Sequence, residues 1–191
     1  VQTIYDRLAL MAVTQSRVVD PRTVTGQILV DIDADRWPED PTAGSLGYFG
    51  LYVAKNPATE FRDNVLLVLT RFIVDTDIDV SFLFYDIERE ARALLEWMEQ
   101  DTQFVEAEMD PTPTLYAEAG RRESGCYEGA ALQSGCYRDP DAGWLFTATK
   151  YVAYQRANVV YLLQCTATSA SQERETWREL TAVVRSARFE G

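Results

Sequence analysis

Two apolar runs stand out from a mostly polar background. Residues 64–74 (Asn-Val-Leu-Leu-Val-Leu-Thr-Arg-Phe-Ile-Val) form the longer and 159–163 (Val-Val-Tyr-Leu-Leu) the shorter. Runs of this length and β-branched content predict strands covered on both faces, so 64–74 is expected at the centre of a sheet. Residues 144–154 carry aromatic and β-branched side chains throughout and predict a half-buried strand. The polar turn Gln155-Arg156-Ala157-Asn158 should join it to 159–168 as an antiparallel hairpin. A change of period follows. Trp177, Leu180, Val184 and Ala187 are spaced for one stripe of a helix over 171–184, with Ser171 as its cap and Glu173 and Glu175 in the first turn. A short strand, 187–189, closes the chain.

The same reading orders the rest. Residues 3–12 predict a short amphipathic helix with Ile4, Leu8 and Met11 on one face, and 14–19 a strand ended by Asp20-Pro21. A strand over 27–32 leads into an acidic loop rich in Pro and Gly, 33–47, and 48–54 is a further strand. Within the loop, Trp37 is expected to anchor the segment on the core. A binding surface, if there is one, is expected here, with Trp37, Tyr48 and Phe49 as its aromatics, because such residues commonly anchor interfaces. Strand alternation should bury one of Tyr48 and Phe49. Residues 80–100 predict a long helix with a stripe from Val80 to Met98, 103–108 a short strand, and 109–113 a loop. Residues 138–143 form a turn cluster.

Composition then narrows the chemistry. The 191 residues show no internal boundary, so one domain spanning 1–191 is expected. Hydrophobic content is 47%, enough for a sizeable core, and no apolar run is long enough to span a membrane. No basic segment followed by an apolar stretch, the mark of a secretion signal, is read at the start of the sequence given, which is consistent with a mature or trimmed end. A net charge of −12 disfavours nucleic-acid backbones and anionic lipid surfaces. With no histidine, Ser-His-Asp triads, Cys-His pairs and His-ligated metals are excluded. Carboxylate chemistry and Ser-Lys chemistry remain, but neither a Gly-x-Ser-x-Gly nor a Ser-x-x-Lys motif is present. Asp75, Asp77 and Asp79 resemble the start of a calcium loop, yet Val80 and Asp86 stand where the loop needs Gly and Glu. Asp31, Asp33 and Asp35 alternate at a strand end and are read as solvated. No catalytic residue, metal ligand or cofactor is assigned.

The three cysteines bear on the compartment. Cys126 and Cys136 sit in a repeated Ser-Gly-Cys-Tyr. A hairpin of 123–128 on 132–138, turning near Ala130-Ala131, would bring them face to face. Two readings stand: a disulfide, expected if the domain is exported, or two small residues on adjacent strands. Cys165 lies in the apolar strand and is expected as a buried thiol.

The order of elements resembles the LpqN family of actinobacterial lipoproteins, which share the fold of the photosystem subunit PsbP. Thr3-Ile4-Tyr5 through Thr14-Gln15 is similar to the family's opening helix and strand. Val30 to Trp37 falls at its strand and turn, with the Trp but without the preceding Pro-Gly. Phe61-Arg62-Asp63-Asn64-Val65 resembles its Phe-x-x-Asn-aliphatic segment. Gly129-Ala130-Ala131, Tyr137, the 159–168 strand and the stretch from Trp177 to Phe189 are similar to its later elements. The family's lipid-bearing cysteine and its linker are not in this sequence. The resemblance implies an α+β fold, a twisted antiparallel β-sheet with helices packed against it, PsbP-like, and no catalytic set. It also implies an accessory domain of the cell envelope that binds a protein partner or a lipid-like ligand. The alternatives are a cytoplasmic protein-interaction module and, behind it, a carboxylate-dependent hydrolase.

Overall fold

The computed structural model describes residues 4–57, 59–75 and 126–190. Strand β4 (Asn64–Val74) is the hub of the main sheet. One edge of β4 pairs along almost its whole length with β7 (Val159–Ser169). Its other edge is shared, by β3 (Gly50–Val53) against Asn64–Leu67 and by β1 (Ala12–Val18) against Leu69–Val74. Beyond β7 lie β6 (Gly143–Arg156) and then β5 (Cys126–Asp139). Every pairing is antiparallel.

Alternation along β4 divides its side chains between two layers. Val65, Leu67 and Leu69 face the larger core with Val152, Leu163, Cys165 and Ala167. Helix α2 (Arg174–Ser186) covers this face through Leu180, Val183 and Val184. A two-stranded ribbon of β2 (Gln27–Leu29) and β8 (Arg188–Glu190) extends the cover. Phe146 stacks on Trp177 at 5.2 Å, and Tyr154 stacks on Phe189 at the same separation. Phe72 and Val74 face the other way, into a smaller core closed by Ile4 and Leu8 of α1 (Ile4–Met11). Burial on both faces of β4 and β7 explains why their sequences are apolar without alternation. The architecture is therefore α+β, a mostly antiparallel sheet with helices packed on it.

Polar ties fix the cover to the sheet. Lys150, on the larger-core face of β6, donates from Nζ to the backbone oxygens of Arg185 and Ala187, both at 2.6 Å. A cation there satisfies carbonyls that the helix end leaves unpaired. Ser169, fully buried at the end of β7, donates to Asp63 at 2.5 Å, and the other carboxylate oxygen accepts the Ala170 N–H at 2.9 Å. This clasp joins the start of β4 to the end of β7. Arg36 pairs with Glu179 of α2, and Arg188 with Asp31 at 3.2 Å.

Several expectations are corrected. The hairpin turning near Ala130-Ala131 does not form, because β5 is one continuous 14-residue strand. It pairs with β6 without interruption, Ala130 opposite Val152 and Ala131 opposite Tyr151. Cys126 and Cys136 thus lie ten positions apart on one extended strand, on the order of 33 Å at the usual rise. A disulfide needs Cα atoms within about 7 Å, so the Cys126–Cys136 pairing is overturned, and Cys136 carries a thiol. The turn lies at 140–142, where Asp139 Oδ1 accepts the N–H groups of Asp141 and Ala142 and Gly143 takes φ 79°. The predicted strand 27–32 contracts to Gln27–Leu29 and joins β8 rather than the main sheet. Ser171 precedes the helix instead of capping it, accepting the Glu173 N–H at 3.2 Å. The helix expected over 80–100, the strand over 103–108, the loop over 109–113, and Asp77 and Asp79 lie outside the described residues.

Candidate functional site

The loop after β2 is built on carboxylate turns. Asp33 accepts the Arg36 and Trp37 N–H groups on its backbone oxygen, and the Asp35 N–H on its side chain at 3.0 Å. This tight turn drives Trp37 inward, where it is 5% exposed and packs in the larger core. Trp37 therefore anchors the loop, and its ring is not presented at the surface. Its indole N–H is buried without a hydrogen-bond partner among the described residues.

Beyond Trp37 the chain runs along β3. The Asp40 N–H reaches the Leu51 oxygen at 2.7 Å, the Val53 N–H reaches the Pro38 oxygen at 3.1 Å, and Glu39 bridges Tyr52. Asp40 caps the next turn, accepting from the Thr42 N–H at 2.8 Å and its hydroxyl at 2.7 Å. These bonds hold the Asp40 carboxyl below its ordinary range. A short 3-10 turn, Ala43–Leu46, ends at Gly47 with φ 82°, and the Tyr48 N–H returns to the Ala43 oxygen. Phe49 donates its N–H to Leu67, extending the β3–β4 ladder by one residue. Gly50 follows because a Cβ there would stand 2.9 Å from Leu67 Cδ1.

Tyr48 and Phe49 are both half-buried and sit before β3 rather than within it, so strand alternation does not separate them. Leu46, 58% exposed, adds an apolar side chain at the crest of the turn. Leu46, Tyr48 and Phe49 thus follow one another along the turn, with Phe49 packed against the larger core that also holds Trp37. Leu46 went unrecognised in the sequence because a single leucine in a loop has no periodic context. Tyr52, beside Glu39, has its phenol pushed up, first by burial and then by that carboxylate.

Among the described residues, Cys165 and Lys150 are quenched or engaged. Burial pushes the Cys165 thiol up to about 12, outweighing the opposing effect of Lys150 across the strand. A thiol held neutral in this way is a poor nucleophile. Lys150 itself is pulled down chiefly by burial, and its amine is bonded to carbonyls rather than to a serine. Asp31, Asp33 and Asp35 are exposed, and among the described residues no three His, Cys, Asp or Glu side chains cluster to hold a metal. No helix among the described residues is long and apolar enough to cross a membrane.

No protein-family model matches the chain, and no curated protein sequence matches it. Among solved structures, the chain is similar to the crystal structure of LpqN, a protein involved in cell envelope biogenesis of Mycobacterium tuberculosis. The two superpose with a TM-score of 0.66, covering 99% of this chain and 98% of LpqN at 16% sequence identity. The chain has an LpqN-like fold.

Proposed function

We propose that residues 1–191 form a single LpqN-like domain that serves as a non-enzymatic accessory component of the cell envelope. In this reading it binds a protein partner or a lipid-like ligand. The observation that carries it is the end-to-end match to LpqN, a protein of envelope biogenesis. The absence of histidine from the sequence and the quenched Cys165 thiol favour recognition over catalysis. The binding surface in this reading is Leu46, Tyr48 and Phe49, mounted on a loop that Trp37 anchors and β3 supports. An exposed leucine beside two half-buried aromatics suits an apolar group with a polar rim.

The test is fractionation of the native host, followed by crosslinking and mass spectrometry of what co-purifies. The expected outcome is recovery in the envelope fraction with a specific protein or lipid whose capture falls at least tenfold on Leu46→Asp. A purely cytoplasmic distribution, or capture indifferent to Leu46→Asp, refutes the reading.

A further inference from the structure

We propose that the thinly covered end of the larger-core face is a binding site for a phosphate group, with Arg71 at its centre. The inference goes beyond the reading above and does not use Leu46, Tyr48 or Phe49. The antiparallel registers set Arg71 of β4 between Ser16 of β1 and Tyr161 of β7. One step further along the same face, Ile73 lies between Thr14 of β1 and Val159 of β7, and Val159 is opposite Arg156 of β6. The β1 bulge falls before Thr14, so the register is regular from Thr14 to Val18. Opposed residues of a pair share a face, and alternate positions of a strand point the same way. These side chains therefore lie on the face of Leu69 and Leu163.

Cover thins along this face. Leu69 and Leu163 are fully buried, and Tyr161 is still covered by Phe189 at 6.2 Å. Ile73 and Val159 are half-buried, and Thr14, Ser16 and Arg156 are exposed. Arg71 sits at the transition. It is half-buried, and its Nε is enclosed without an acceptor among the described residues. Arg188 shows the contrast, being half-buried too but bonded to Asp31 and to the Ser186 oxygen. A charged donor taken out of water without an acceptor is costly, and an anion on the guanidinium fork removes that cost.

The neighbours of Arg71 suit an anion. Hydroxyl-bearing residues stand opposite it on both sides, Ser16 and Tyr161, and Thr14 adds a third. Arg156 brings a second guanidinium, with its Cα about 12 Å from that of Arg71 by strand spacing and rise. None of these opposed positions holds a carboxylate. Two guanidinium forks and several hydroxyls exceed what the two oxygens of a carboxylate use, and they match the oxygens of a phosphate group. The overall charge of −12 opposes a broad anionic surface, whereas one phosphate held at short range depends on the local donors. Soluble phosphate compounds and lipid headgroups both carry this group.

Isothermal titration of the full chain with inorganic phosphate, at constant ionic strength, tests the proposal. The expected result is one saturable site with a dissociation constant of about 1 mM or below. Binding should weaken about tenfold or more in Arg71→Gln and about threefold or more in Arg156→Gln. It should be unchanged in Arg62→Gln, an exposed arginine before β4. Arg156 is exposed, so its variant decides the matter if Arg71→Gln does not fold. Cosedimentation with mixed phosphatidylglycerol and phosphatidylcholine vesicles separates the sources. Loss of cosedimentation in the variants identifies a lipid headgroup, and phosphate binding without cosedimentation identifies a soluble phosphate compound. No saturable binding up to about 20 mM phosphate overturns the proposal. So does binding indifferent to Arg71→Gln, or to Arg156→Gln where that variant decides.

Discussion

The stability of this protein should fall at alkaline pH because of one buried thiol. Cys165 is fully buried, faces the larger core, and has its pKa raised from 9.0 to about 12 by burial. An unfolded chain releases this proton near pH 9, whereas the folded chain keeps it. The folded state thus holds more protons between these values, and its stability must decline as pH rises through the window. The contribution is fully present below about pH 9. At about pH 10.5 the unfolded thiol is ionised by about 1.5 pH units and the folded one is not, which corresponds to a loss of about 2 kcal/mol. Tyr52, Tyr137 and Tyr151 are also raised by burial and act in the same direction. Lys150, opposite Cys165, is lowered by burial. A comparison with Cys165→Ala reports the thiol together with its coupling to Tyr52 and Lys150, while the burial of the tyrosines is common to both proteins. Urea unfolding followed by far-UV circular dichroism at about pH 8 and about pH 10.5 gives the two differences. Wild type should lose about 2 kcal/mol more than the variant across this interval. An equal loss in the two proteins refutes the reasoning.

Further predictions follow from individual contacts. Asp63→Ala leaves the buried Ser169 hydroxyl and the Ala170 N–H without their acceptor, so about 2–3 kcal/mol should be lost in urea denaturation, with a smaller loss for Asp63→Asn. Gly50→Ala places a methyl 2.9 Å from the buried Leu67 and should cost about 1–3 kcal/mol by the same assay. Lys150→Met removes both bonds to the end of α2, and amide exchange should accelerate in β8 before it does in β4 or β7.

Where side chains of a segment report their own neighbours, the sequence was a good guide. The apolar runs of β4 and β7, the half-buried pattern of β6 and the stripe of α2 each reflect a local period, and each element formed close to its expected bounds. The fold class and the LpqN likeness followed from their order. Failures came where the deciding contact is remote or where small residues carry little pattern. β2 takes its partner from β8, at the far end of the chain, so no local signal could place it outside the main sheet. In β5, the repeated Ser-Gly-Cys-Tyr suggested two short strands paired around a turn near Ala130-Ala131. A strand pairing along all of β6 tolerates the repeat because the partner sets the conformation. At the candidate surface, the anchor reading of Trp37 held, while the exposure of Leu46 depended on a loop geometry that no periodicity encodes.

Because β1 and β3 share one edge of β4 end to end, residues 12–18 behave as a removable leaf. Proteolysis between β1 and β2 would separate α1 and β1 from the rest without breaking the β4–β7, β6–β7 or β5–β6 ladders. The cleaved remainder would keep its larger core except for Val18 but bare the β4 edge from Leu69 to Val74, along with Phe72 beneath the departed α1. An opened apolar edge of that length templates further strands. Loss of the first structural unit should therefore convert a folded remainder into a polymerising one, and keeping that leaf in place is as much a matter of solubility as of stability.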